Sequence, residues 1–591
     1  MHTTIILYLV MWVAIISCAK GPDLKIANFR WPKTTLATYS LLICLHLYAI
    51  VAPAPRRRPC PFNMHSRMWR TWTSSLRHMA VWMEEYQDEF FIVFNVVEIA
   101  CQSHQAYAYF DEIAQPSKAI SYLSIVITYS FFSPLILFVR NTRAKTTLIN
   151  LADSIFSFAL SCGLPILAVV LTTLDYVMVN QALGRDNLWA TNVALIVRLL
   201  AITNAFDYVC KLAMHLGTFI ALVRFVQSLD YHETIGDKDP IPTDIPAIAS
   251  SRKHLLLRVN LWVNVSWGCI LTFALSRSLA SHHPCPSYCI ADIRPLLDDT
   301  CQCAYANINC VTLNTTDPTE LLHPDAIGTR LLLLQISRCD IPSGLPPAAL
   351  APFEHLGRIM LLYTNMETWN GPLPPSIFAI FVRHSCLQAI PHALQVDLPP
   401  NIVSLYLEGS PISVIPDAVV AAWANLERLY LMNLSLQTLP ESLTTTLTLW
   451  DVDFRLNNLT TLPKEWVTPN VPSLSHLKLA YFGGNPLPDA AAPWHLAQRG
   501  IPVDLSGTRI SRIPTSLGGM NRMALTKRQV VLDDTPYCLS TIHANSFCKP
   551  LCAPGCFANM RGDFYCDLAC FTPACGFDGG DCDDMGFDVP G

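Results

Sequence analysis

Six cysteines fall within thirty-one residues near the C-terminus, at Cys552, Cys556, Cys566, Cys570, Cys575 and Cys582, and the last two bracket Gly576-Phe577-Asp578-Gly579-Gly580-Asp581. So short a stretch buries too little apolar surface to hold a fold by itself, and disulfides, a bound metal or both must supply the constraint. Six cysteines allow fifteen pairings, and spacing alone does not choose among them. Asp578 and Asp581, three residues apart around a Gly-Gly bend, can turn inward on one hard cation, which takes several oxygen ligands at once. The run lacks an oxygen donor at every second position, which excludes an EF-hand. The plainer reading is a disulfide knot whose acidic side chains are solvated.

The cysteine spacing and the closing Asp-Gly-Gly-Asp-Cys run resemble the LNR (Notch-type) repeat, a small calcium-binding module of extracellular proteins. The resemblance implies disulfides Cys552–Cys575, Cys556–Cys570 and Cys566–Cys582. It also implies a structural Ca2+ held by the carboxylates of Asp563, Asp578 and Asp581 and by the carbonyl of Tyr565. Phe571 and Phe577 stand where the family often has Asn and Trp. A single such repeat, rather than a tandem set, sets the chain apart from Notch receptors.

Upstream, residues 331–514 repeat L-x-x-L-x-L-x-x-N-x-L, the leucine-rich-repeat signature, in eight units starting near Leu331, Leu356, Ile377, Ile402, Leu426, Leu449, Leu474 and Gly500. Each unit supplies one short strand and a return segment, and only stacking on its neighbours buries the leucines. Asn457 fits the Asn position, Cys339 is an accepted substitute, and Thr364, Ser385, Ser410 and Leu434 depart from it. Strand alternation puts one residue per unit at the middle of the open sheet face: Gln335, Met360, Phe381, Tyr406, Tyr430, Asp453, Lys478 and Asp504. The strip Met360, Phe381, Tyr406 and Tyr430, flanked by Arg383, Glu408, Arg428 and Arg455, has the aromatic-and-arginine makeup of binding hot spots. The competing reading is a solvated sheet decorated with β-formers.

The first half is different in kind. The chain of 591 residues is 51% hydrophobic and only 14% charged, too large for one domain and too apolar for an ordinary soluble protein. Residues 1–19 read as a signal sequence or signal-anchor. Six apolar segments of membrane-crossing length follow at 35–53, 90–110, 119–139, 154–174, 208–226 and 259–276. The segment 188–206, interrupted by Arg198, is expected as an interfacial or bundle-packed helix. Basic residues in three loops (Arg56–Arg58 with Arg67, Arg70 and Arg77; Arg140, Arg143 and Lys145; Lys238, Arg252, Lys253 and Arg258) place those loops in the cytoplasm. The loop at 175–187 and everything after the last span are then outside, while Lys20, Lys25, Arg30 and Lys33, also outside, run against the rule. Pro134 and Pro165 are expected to kink their spans. Within the second span Glu98, Gln102 and Gln105 share one helical face, either a polar stripe between helices or part of an ion or substrate pathway.

Of the 22 cysteines, fifteen lie between Cys285 and Cys582, which assigns that half to an oxidising compartment. Asn314, Asn433 and Asn458 head glycosylation sequons there. The expected fold is multidomain: an α-helical transmembrane bundle (20–280), a Cys-rich cap (281–325), an α/β leucine-rich-repeat solenoid (326–519), a cap with Cys538 and Cys548 (520–550), a disulfide-rich LNR module (551–583) set directly after the solenoid, and an acidic tail (584–591). The combination is similar to membrane proteins of oomycetes. A net charge of −5 without a long basic run gives no case for nucleic acid, and no nucleotide-binding, hydrolase, zinc-protease or kinase motif is present. The expectation is a multi-pass protein, of the plasma membrane, whose extracellular half recognises a protein or glycan without catalysis; the alternative is a transporter or channel with an accessory ectodomain.

Overall fold

The computed structural model describes residues 1–19, 24, 27–51, 87–136, 138–139, 142–234, 247–468, 474–514, 520–540 and 547–587. The basic residues Arg56–Arg58, Arg67, Arg70, Arg77, Arg140 and Lys238, with Lys20 and Lys25, lie outside the described residues, as does the end of the acidic tail. The chain divides into two units, one of residues 1–174, 194–283 and 293–299, the other of residues 175–193, 284–292 and 300–591.

The first unit is helical. Among the described residues, five helices are long and apolar enough to cross a membrane: Pro32–Val51, Pro116–Ile136, Thr147–Val179, Ala205–Val226 and Arg258–Ser281. The expected sixth, Gln87–Glu112, has the length at 26 residues. Its buried Asn95, Glu98, Gln102 and Gln105 take it below that apolarity. Segment 188–206 yields only the 14-residue helix Asn187–Leu200, too short to span, with Leu195, Ile196, Leu199 and Leu200 buried. Helix His2–Cys18 buries Ile5, Leu9 and Trp12 against Tyr39 and Leu42 of the next helix. Pro134 lies inside its helix, and a π turn at Ala159–Gly163 precedes Pro165, the kind of irregularity that bends helices.

In the second unit one sheet runs in strict chain order. Its eleven strands among the described residues are β1 (Cys289–Ile293), β2 (Gln302–Asn309), β3 (Leu333–Ser337), β4 (Arg358–Leu362), β5 (Ala379–Arg383), β6 (Ser404–Glu408), β7 (Arg428–Met432), β8 (Asp451–Asp453), β9 (Leu479–Tyr481), β10 (Val503–Asp504) and β11 (Val530–Val531). From β2 onward each pair is parallel. The inward residues Leu334, Ile336, Ile359, Leu361, Ile380, Val382, Leu405, Leu407, Leu429 and Leu431 are all fully or almost fully buried. Each such side chain contributes about 1.5–3 kcal/mol by leaving water, but only with a neighbouring coil to cover it. Two residues beyond the second inward position the backbone turns left-handed, at Arg338, Tyr363, His384, Gly409, Asn433, Leu456, Gly484 and Gly507. At Gly409 a Cβ would meet the His384 ring at 2.3 Å, so that coil closes only with glycine.

The Cys-rich segment at 281–325 contributes β1 and β2, the first two strands of this sheet. Cys285–Cys301, Cys289–Cys303 and Cys310–Cys339 staple it, the last to the first repeat. Cys339 is therefore a disulfide partner as well as an Asn substitute. Asn457 donates to the carbonyls of Leu431 (2.7 Å) and Phe454 (3.0 Å) and accepts from the N–H groups of Leu434 and Leu436. Asn485 repeats the device one coil later, donating to Phe454 and Phe482. Asn457→Ala strands these buried groups, and a loss of about 2–4 kcal/mol is expected. The check is a lower unfolding midpoint of the β-sheet circular dichroism signal, larger than that of an exposed Asn458→Ala control.

Candidate functional site

The strand register builds the open face row by row. Gln335, Met360, Phe381, Tyr406, Tyr430, Asp453, Tyr481 and Asp504 are consecutive cross-strand partners. Tyr481 thus takes the place expected for Lys478. Ala480 and Phe482 are the inward pair of β9, and an alanine in an inward position hides the repeat from a leucine pattern. Lys478 lies instead over the Trp450 ring, 4.0 Å from its centroid. Phe381 and Tyr406 stack at 3.8 Å, Tyr406 and Tyr430 at 4.1 Å, a continuous aromatic ladder across three strands.

The chain's own cysteine-rich module lies on this face. It is not set after the solenoid, as expected, but lies along the face from the end of β4 to the end of β8, and the tail that follows it reaches β2. Asn309 donates to the Asp584 carbonyl at 3.0 Å, Arg338 to the carbonyls of Met585 and Gly586, and Tyr363 OH to the Cys566 carbonyl at 2.5 Å. The Arg455 guanidinium grips Asp453 through Nε and Nη2 and donates Nη1 to Asn559 Oδ1 at 2.9 Å. Phe557 packs with Met432, Cys556 and Met560. At the centre Arg383 donates Nε to Glu408 Oε2 at 2.5 Å and Nη2 to Asp567 Oδ1 at 2.6 Å, with all three side chains at most 10% exposed. Burial alone would raise the Glu408 carboxyl, and the Arg383 guanidinium outweighs it, holding Glu408 below the usual range. The guanidinium also sits 5.5 Å from the Tyr565 ring centroid.

Of the residues expected to meet a ligand, Met360, Phe381 and Arg383 are therefore buried, at 1%, 2% and 5% exposure. Tyr406 and Tyr430 are half-buried, and Arg428, 3.5 Å from Asp451, keeps half its side chain exposed. The sequon residues Asn314, Asn433 and Asn458 are exposed. Within the module the joined pairs are Cys552–Cys575, Cys556–Cys570 and Cys566–Cys582, with Cys538–Cys548 just before it.

Residues 547–583 match the family model of the Notch LNR domain. The C-terminal module is an LNR domain. No curated protein matches the chain. Similar solved structures include a leucine-rich repeat protein of Bacteroides eggerthii (15% identity, 38% of this chain and 44% of that one, TM-score 0.25). A Shigella effector LRR domain (15%, 38% and 76%, 0.23) and a Leptospira interrogans LRR protein (17%, 37% and 64%, 0.26) are two more. This chain thus spans less than half the length of the first. Its leucine-rich architecture rests on its own register and buried leucines.

The LNR domain's acidic residues form one cluster. Asp581 Oδ2 accepts from the N–H groups of Asp563 (2.6 Å) and Phe564 (3.0 Å), which ties the 578–581 bend to the 562–565 loop. Asp578 Oδ2 accepts from Asp567 N–H at 2.6 Å, while its Oδ1 is buried without a partner. Burial, with the neighbouring carboxylates adding to it, pushes Asp578 up to about 7; burial likewise pushes Asp563 up to about 6, against the pull of Arg185. Acids so crowded resist ionising together, and an orphaned oxygen in their midst fits a hard cation. Asp563, Asp578, Asp581 and the Tyr565 carbonyl would hold Ca2+, which would offset most of the cluster's negative charge and tie the two loops. The sulfur groups nearby, Cys552, Cys556 and Cys575, and Cys566 with Cys582, are in disulfides and offer no thiolates to a metal.

In the helical unit, Tyr129 OH bonds Asp153 Oδ1 at 2.9 Å and lies 3.4 Å from Glu98 Oε2, and Ser157 donates to the other oxygen of Glu98. Asn95 donates to Tyr129 OH and to Ser133, both at 3.2 Å. Gln105 donates to Asp207 at 2.8 Å, and Lys211 binds the same carboxylate at 2.9 Å while donating to the carbonyls of Leu199 and Ala201. Lys211 thus meets this polar face through Asp207, from a helix about a hundred residues on in the chain.

Removing one partner from a buried ion pair costs about 3–5 kcal/mol, because the other charges stay buried. Arg383→Met is expected to loosen the LNR domain from the sheet with its disulfides intact. Hydrogen exchange of residues 563–570 should rise at least tenfold, while that of the inward leucines of β5–β7 stays protected; unchanged exchange would contradict the docking.

Proposed function

We propose that residues 281–591 form an extracellular recognition ectodomain for a protein or glycan, non-catalytic, carried by a membrane-embedded helical base of a multi-pass plasma-membrane protein. The observation that carries this reading is the surface left beside the LNR domain. The ladder that begins with buried Phe381 emerges at Tyr406 and Tyr430 and ends beside exposed Arg428, with Lys478 on Trp450 next to it. Tyrosine and arginine held rigidly by stacking lose little entropy on binding, which is why such residues dominate interface energies. The LNR domain then acts as a fixed wall of the surface, with Ca2+ keeping its loops in shape.

Disulfides throughout this half and three exposed sequons support an extracellular setting. The charge pattern of the loops sends residues 175–187 and the C-terminal half to the same side. The contacts of Arg185 and Asn187 with the repeat and LNR residues agree with that assignment. A second reading, transport through the helical unit, is favoured by the buried Glu98, Tyr129 and Asp153 network.

A photo-crosslinking side chain in place of Arg428, on intact cells, should give a discrete adduct that falls about tenfold with Tyr430→Ala, as expected for a hot spot of about 1.4 kcal/mol or more. Absence of any adduct, together with ion or solute flux abolished by Glu98→Gln, would decide for transport.

A further inference from the structure

The segment between two helices of the membrane half, residues 175–193, belongs to the same unit as the repeats and the LNR domain. It is held at two points. Asn180 caps a short 3-10 turn, Gln181–Arg185, by accepting from Ala182 N–H at 2.9 Å. At the end of that turn the Arg185 guanidinium donates to Asp563 Oδ2, with the Asn559 carbonyl 3.4 Å away. Two residues on, Asn187 donates to Gln335 Oε1 at 2.9 Å and accepts from Arg358 Nη1 at 3.2 Å; Tyr305 OH fixes the same Gln335 oxygen at 3.0 Å. The second point ties the segment to the repeats. The first ties it to the acidic cluster of the LNR domain.

Asp563 is common to both ties that this cluster can make. Its Oδ1 is turned to its own loop, accepting from Tyr565 N–H at 3.0 Å, and its Oδ2 carries Arg185. The same carboxylate stands beside Asp581, whose Oδ2 takes the Asp563 N–H, and Asp578 has a buried oxygen with no partner. A guanidinium already rests where crowded carboxylates attract positive charge. A divalent cation held by Asp563, Asp578 and Asp581 would sit within a few ångströms of that guanidinium, and like charges so close repel even through water.

We infer that Arg185 is a built-in cation for the LNR acidic cluster, in competition with Ca2+, so that calcium binding weakens the clasp of the 180–187 segment on the LNR domain while the Asn187 tie to the repeats remains. The inference rests on the reading of the cluster as a calcium site. Coupling of two equilibria is reciprocal: if calcium loosens Arg185, Arg185 lowers the affinity for calcium by the same factor.

The test is a calorimetric Ca2+ titration of the full chain in detergent, for the native protein, Arg185→Gln and Arg185→Lys, with hydrogen exchange of residues 180–187 followed at each calcium level. Loss of the charge should tighten calcium binding about tenfold, as one unit charge near a dication predicts. Arg185→Lys, which keeps the charge, should stay near the native affinity. In the native protein calcium should speed exchange at 180–187, and in Arg185→Gln exchange should be fast at every calcium level. Equal affinities for all three proteins, with calcium heat present, would overturn the clasp and leave the calcium site standing. No calcium heat from any of them would overturn both.

Discussion

One guanidinium settles where the LNR domain goes on the repeat sheet. Arg383, at the end of β5, is 5% exposed and has a carboxylate on each side, Glu408 from the next repeat and Asp567 from the LNR domain. Carboxylates buried to this degree stay charged only beside a cation that fills their lone pairs. The sheet therefore offers a desolvated cation with one carboxylate already bound, and among the described residues the LNR domain supplies the second. Arg455 repeats the arrangement three strands along, gripping Asp453 and reaching Asn559. Beside the first anchor the rings of Phe381 and Tyr565 are enclosed; on β7 Tyr430 stays half-buried and Arg428 half exposed. Which part of the aromatic ladder a partner can reach follows from the anchors, not from the ladder.

What the sequence made legible is whatever repeats or is local. The inward leucines of β3–β8 recur every two dozen or so residues, and Asn457 stands out because its coil keeps the pattern intact. The cysteine spacing and the Asp-Gly-Gly-Asp-Cys run are complete within thirty-one residues. The misreadings come from two physical sources. A small inward residue, Ala480, shifted the apparent frame by three residues and put Lys478 where Tyr481 stands. Partners far apart in sequence were not readable at all: Arg383 and Asp567 are 184 residues apart, Arg185 and Asp563 378. Arginines beside an aromatic strip look the same in a sequence whether they await a ligand or an internal carboxylate.

The helical half follows the same division. The helices that are apolar throughout overlap the apolar segments of the sequence, whereas Gln87–Glu112 mixes an apolar face with a buried polar one and drops out of the apolar set. Its Glu98 and Gln105 have partners, Tyr129 and Ser157 for one, Asp207 with Lys211 for the other, that only the packing brings together. Polar groups of this kind are satisfied inside a helical bundle because lipid offers them nothing. Residues 175–193 belong with the repeats, and their arginine and asparagine end on LNR and repeat side chains.

The central claim is that the LNR domain is held on the sheet through the Arg383–Asp567 pair. A double-mutant cycle measures this pair and little else: Arg383→Met, Asp567→Asn and the two together, each read as the opening free energy of the LNR domain by native-state hydrogen exchange. The account predicts a coupling of about 2 kcal/mol or more, as for close, desolvated charge pairs. Strictly additive effects, with a coupling near zero, would mean that the two side chains do not meet and would contradict it.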